Sequence, residues 1–193
     1  IPQGDYAPSR LIITPKKKQL VSSGVSIRLT PNLSLESETA LSANDLNTFS
    51  KLNYSDDQGY ANRTKIKSLL PFGKDSIAGW QLENSAEIEL LSTHFSPIEQ
   101  YRKVEFDRDW NTRNKGFTGS QRVANISSTL KNKRNGFMNL EGQHFSIGKD
   151  YFGNRLASEG SWQQHGWSAK WDGSFLSSKN EQSNINSNLN YSD

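Results

Sequence analysis

The stretch YRKVEFDRDWN, Tyr101–Asn111, is the densest group of side chains that could do chemistry. In an extended strand Glu105, Asp107 and Asp109 fall on one face, roughly 6.5–7 Å apart, twice the rise per residue. Val104, Phe106 and Trp110 fall on the other, with Arg102 and Arg108. A row of three carboxylates must be hydrated, matched by cations on a neighbouring strand, or bound to a metal. Two other charged rows point to the second solution. Arg63, Lys65 and Lys67 precede Glu83, Glu87 and Glu89 by one hairpin connection. Opposite charges across strands contribute roughly 0.2–1 kcal/mol per pair. By the same logic Glu105, Asp107 and Asp109 would face Lys103, Arg122 or Lys131, with no metal bound. Arg108 would pair with Glu36 or Glu141, leaving Val104 and Phe106 on a buried or lipid-facing side.

The remaining candidates are weaker in spacing. NYSDDQGYAN, Asn53–Asn62, places Asp56 and Asp57 before a bend at Gly59, but lacks the regular oxygen spacing and distal Glu of a calcium loop. The calcium candidates are therefore Asp56, Asp57, Glu105, Asp107 and Asp109, each set against an ordinary turn or ladder. His94, His144 and His165 have no metal-ligand spacing, and the absence of cysteine excludes disulfides and thiolate chemistry. GKD at Gly73–Asp75 and at Gly148–Asp150 does not continue as a phosphate loop, so both read as turns. No catalytic motif is present, and neither enzyme activity nor a cofactor is expected. Trp167 and Trp171 would share a strand face with Ala169 and His165. Such a stripe can stack on a sugar ring, form an aromatic girdle at a membrane interface, or fill a core.

What positions these residues follows from composition and periodicity. The chain has 193 residues, 33% hydrophobic, 22% charged and 10% aromatic, with a net charge of +3. That is too balanced for a charged tail and lacks the basic stripe of a nucleic-acid binder. No apolar run reaches the roughly 18 residues of a membrane helix, which leaves barrel strands open. GVSIRL, LSLESETAL, RTKIKSL and GWQLENSAEIELL alternate with period two. RVANISSTLKNKRNGFMNLEGQHFSIG is a hairpin about Asn135-Gly136, with Ile126 and Leu130 antiparallel to Met138 and Leu140. WSAKWDGSFLSS and NINSNLNYSD suggest another pair joined near Lys179–Gln182. SANDLNTFSKL, Ser42–Leu52, allows one or more helical turns. LNYSD recurs at Leu52–Asp56 and Leu189–Asp193. The expected architecture is all-β, an antiparallel meander of hairpins forming part of a larger sheet or barrel. Residues 1–18 form an extended N-terminal segment, and residues 19–193 a sheet region that is a fragment of a larger protein.

ETALSANDLNTFSKLNYSDDQGYA (Glu38–Ala61) and FSPIEQYRKVEFDRDWN (Phe95–Asn111), with YFGNRL and SFLSSKN, resemble segments of large envelope proteins of the Bacteroidota. The resemblance implies a β-rich protein of the outer membrane or cell surface, with no catalytic residues to carry over. DSI at Asp75–Ile77 also resembles the O-glycosylation sequon of those bacteria. Three functions follow as expectations. The first is a non-enzymatic scaffolding segment of the cell envelope, partnered by other envelope proteins or the rest of its own chain. The second is a segment of an outer-membrane β-barrel, in contact with lipid. The third is a carbohydrate-binding β-sandwich using Trp167 and Trp171. The face bearing Leu82, Ala86, Ile88 and Leu90 discriminates, since lipid contact requires it to be apolar and exposed. Asn84 and the polar final strands count against that reading.

Overall fold

The computed structural model describes residues 14–49, 57–72 and 79–180. Eight strands follow one another: β1 Lys17–Thr30, β2 Leu33–Asp45, β3 Gln58–Phe72, β4 Trp80–Leu91, β5 Gln121–Asn132, β6 Gly136–Ile147, β7 Tyr151–Gln164 and β8 Trp167–Asn180. Each pairs antiparallel with the next, in one open sheet of order β1 to β8. The connections 31–32, 133–135, 148–150 and 165–166 are too short for anything but a hairpin, and the longer 46–57 and 92–120 connections also return to the adjacent strand. Asn135-Gly136 closes the β5–β6 hairpin as expected, with Leu130 opposite Met138 and Ser128 opposite Leu140. Only Gly136 takes positive φ there, at 125°, and its bare Cα lets the Ser161 carbonyl of β7 approach.

Several expectations need correction. Tyr101–Asn111 is not a strand: it lies in the connection between β4 and β5 and holds one helical turn, α1, Phe106–Asp109. Ser42–Asp45 makes no helix; it is the end of β2, with Ser42 opposite Leu20 and Gly59. The buried Ser42 hydroxyl is held there by the Ser96 amide at 3.0 Å, and Asp45 starts an Asx turn by accepting from the Asn47 amide at 2.8 Å. The rest of that segment, from Ser50, lies outside the described residues. The described partner of β8 is β7, through the His165-Gly166 turn, so His165 leaves the face of Trp167 and Trp171. β8 itself runs to Asn180, across the first half of the expected Lys179–Gln182 connection. NINSNLNYSD, both copies of LNYSD and Asp75–Ile77 lie outside the described residues. The described strands form a single sheet, not the two of a sandwich.

Connections alternate between the two ends of the sheet. At one end are the chain spans 31–32, 73–79, 133–135 and 165–166; at the other are 46–57, 92–120 and 148–150. The buried hydrophobic cluster sits at the second end, where the 92–120 connection folds back over one face. Trp110, Phe145, Ile147 and Tyr151 form it, with Phe106, Phe117, Val123 and Leu176 packed around.

Candidate functional site

Antiparallel register places facing residues on one side of a sheet, so the seven pairings sort every strand residue onto one of two faces. One face carries the row Ile27, Leu35, Ile66, Ala86, Ile126, Gly142, Leu156 and Phe175, running across all eight strands. Along the strands it continues through Val25, Leu41, Leu82, Ile88, Leu130 and Met138. The only charged strand residues on it are Lys17, Asp45, Arg122 and Lys179, all at the long-connection end. Every other charged strand residue lies on the opposite face.

The apolar face is open. Ile126 is 69% exposed, Leu156 63% and Phe175 70%, and Val25, Leu41, Ile66 and Ile88 are also exposed. A water-soluble monomer rarely leaves more than a few hundred Å² of contiguous apolar surface uncovered. Asn84 and the Ser-rich strands do not break this face, because its polar groups bond to one another. Ser128 donates to Asn84 at 2.8 Å, Asn62 to Thr39 at 2.9 Å, and Ser37 and Thr64 share a bond of 3.0 Å. His144 Nδ1 and Asn154 lie 2.8 Å apart. A polar group satisfied by its neighbour loses most of its cost in an apolar medium.

Tryptophans gather on this face at the short-turn end. Trp80 and Trp162 stack across the Asn132–Gly136 pair, with centroids 5.5 Å apart. Trp171 lies flat over Gly160 and donates Nε1 to Ser158 at 3.1 Å; Trp167, on the same face, is 83% exposed. The two sugar-stacking candidates thus belong to an aromatic row at one margin of this face. Tyr60 and Phe152 mark the opposite margin of the same face. Phe152 and Trp162 bracket about ten residues of β7, roughly 34 Å along the strand and roughly 24–28 Å along the normal at barrel tilts.

The other face carries the charge ladder anticipated from sequence. Arg63 faces Glu89 and Lys65 faces Glu87. Glu87 takes Arg63 at 2.7 Å and Lys65 at 3.1 Å; Glu36 takes Lys67 at 3.0 Å, and Glu83 takes Lys131. Asn125 and Gln143 continue the network onto Glu141 at 2.7 and 3.0 Å.

Glu105, Asp107 and Asp109 take no part in that ladder, which corrects the expectation. Asp107 and Asp109 sit on α1, with Glu105 at its N-cap, above the charged face. Asp107 accepts from Thr112 at 3.3 Å, and Asp109 from Arg108 at 3.1 Å, so Arg108 pairs with its neighbour and not with Glu36 or Glu141. Val104, expected on a buried or lipid-facing strand side, stands in the connection and is 80% exposed. Phe106 does turn inward, edge-on to Phe145 with centroids 5.1 Å apart. Arg102, expected on the apolar side of a strand, instead clasps Glu89 and Gln121 and lies 4.5 Å over the Phe106 ring. Tyr151 donates its hydroxyl to the Trp110 carbonyl, pinning the connection to β7. Burial pushes the Tyr101 phenol above its usual range, and Glu89 beside it acts in the same direction against Arg102. Asp57 stands at a bend before β3, its carbonyl accepting from the Asn44 amide at 2.8 Å; Asp56 lies outside the described residues. Among the described residues no three His, Asp or Glu side chains are grouped to hold a metal ion. His94, His144 and His165 stand in a connection, on β6 and in a turn respectively.

No family model, curated protein or solved structure matches the chain. The geometry alone carries the functional argument. Among the described residues no helix is long and apolar enough to cross a membrane, which leaves the strands as the elements to consider. Sequence reasoning missed that Arg122 and Lys179 share one end row of the apolar face, and missed the whole of β7. In β7 the apolar side alternates Phe152, Asn154, Leu156, Ser158, Gly160 and Trp162, so hydrophobic contrast is low. Absence of charge at alternate positions was the available signal.

Proposed function

We propose that these eight strands are a contiguous part of the wall of an outer-membrane β-barrel. The apolar face meets acyl chains and the charged face lines the interior. The observation that carries this is the segregation of charge: between its end rows the exposed apolar face holds no Asp, Glu, Lys or Arg, while the other face holds interlocking ion pairs. A scaffold in water gains nothing by keeping charge off a surface it leaves exposed. A lipid-facing strand must, because a charged side chain near the bilayer midplane costs roughly 2–4 kcal/mol. The aromatic margins, spaced near the roughly 25 Å of a barrel's apolar band, point the same way. Strand lengths of 12 to 15 residues exceed the roughly 9–11 needed to span at a tilt.

The test is solubility and lipid contact. The purified chain is expected to require detergent or vesicles. In vesicles of phosphatidylcholine brominated on the acyl chains, its tryptophan fluorescence should be strongly quenched. A monomer stable in plain buffer, with emission indifferent to brominated lipid, would sink the proposal.

A further inference from the structure

We infer that the apolar face holds a specific site for an anionic lipid, its phosphate between Arg122 and Lys179 and an acyl chain in the groove over Gly142. The inference rests on the lipid-facing reading above. Arg122, Ser146, Phe152 and Lys179 form one cross-strand row from β5 to β8. Neither cation has an ion-pair partner among the described residues, whereas Lys17 at the far edge stands directly opposite Asp45. Three strand spacings, roughly 14 Å, separate the two backbones. Their long stems let both heads converge above Ser146 and Phe152.

Two rows toward the middle of the sheet, roughly 13 Å away along the strands, a groove of about 430 Å³ opens among Ala124, Ile126, Leu156 and Phe175. Its floor is Gly142, which stands between Ile126 and Leu156 and has no side chain to fill the space. Polar head and apolar tail sites are thus aligned along the strand axis. The order is that of a lipid entering from the long-connection margin. Unpaired cations set at a bilayer margin select for anionic headgroups. A free phosphate would use the cations and leave the groove without a role.

The experiment uses the full chain in vesicles of equal phosphatidylcholine and phosphatidylglycerol, extracted in mild nonionic detergent. Retained lipid is identified by native mass spectrometry. Phosphatidylglycerol should be retained in preference. Arg122→Gln and Lys179→Gln should each lower that preference by about fivefold. Gly142→Leu fills the groove without altering charge, and its Cβ meets nothing within 4 Å, so the fold should tolerate it. It too should reduce retention. No preference in the wild type overturns the site, as does preference surviving the loss of both cations. Preference untouched by Gly142→Leu also overturns it, since it would then reflect diffuse surface charge. If acyl-brominated lipids of either headgroup fail to quench tryptophan, the lipid-facing reading itself has failed.

Discussion

Ile126 and Ser174 put the two faces to a single-residue test. Both side chains are exposed, one at the centre of the apolar face and one on the charged face. In water an arginine at either position would change stability by at most about 0.5 kcal/mol. In a bilayer they diverge: Ile126→Arg should cost roughly 2–4 kcal/mol and Ser174→Arg under about 1 kcal/mol. Reversible denaturant unfolding in vesicles measures the difference, and equal costs would refute the assignment of faces. This asymmetry was legible in part. The rows Arg63/Lys65/Lys67 and Glu83/Glu87/Glu89 announced one face directly, because each strand alternates strongly. Asn84 and Ser128 were misleading, because a list of residues shows two polar interruptions where the fold shows one hydrogen bond. Which polar groups satisfy each other is a property of register, and register across β4 and β5 depends on a connection of 29 residues.

At the scale of elements, that connection is the instructive failure. YRKVEFDRDWN alternates well enough to pass for a strand, yet it also places Phe106 and Trp110 four apart, the spacing of one helical face. The second period wins because both rings find the same partner, Phe145, on a sheet that already exists. No local propensity decides this; the aromatic platform is supplied by residues 35 and more positions downstream. Trp110 is 2% exposed and its ring lies over Gly153. Trp110→Ala should therefore cost about 3–5 kcal/mol of docking energy. The sheet should survive, as β4 and β5 pair along their whole length without the connection. The expected result is rapid proteolytic cleavage within 98–118 in the variant and slow cleavage in the wild type. Loss of strand signal by circular dichroism would instead make the connection part of the sheet's foundation.

On the scale of the whole molecule, the division of connections by length gives an orientation. Outer-membrane barrels turn tightly on the periplasmic side and carry longer loops outside, so on the proposed reading the 92–120 end should face outward. The chain has no cysteine, which makes Asn114→Cys and Lys133→Cys clean reporters. An impermeant maleimide on intact cells should label the first and spare the second, and the reverse pattern would invert the topology. The edges are the larger problem. Among the described residues, β1 pairs only with β2 and β8 only with β7, along 14-residue strands. In hydrocarbon an unpaired amide or carbonyl costs several kcal/mol, so open edges do not occur there. With an even number of antiparallel strands, β1 and β8 run in opposite directions. They are therefore able to pair with each other or to accept further antiparallel strands between them. In either case the outward amides of β1 must be bonded once the protein is in a bilayer. Hydrogen exchange in vesicles should show Leu20, Ser22 and Ser26, whose amides face away from β2, protected as strongly as Ala86 and Ile88 at the centre of the sheet. Free exchange along β1, with β4 protected, would mean an edge left in water, and the sheet would then be a surface structure and not a wall.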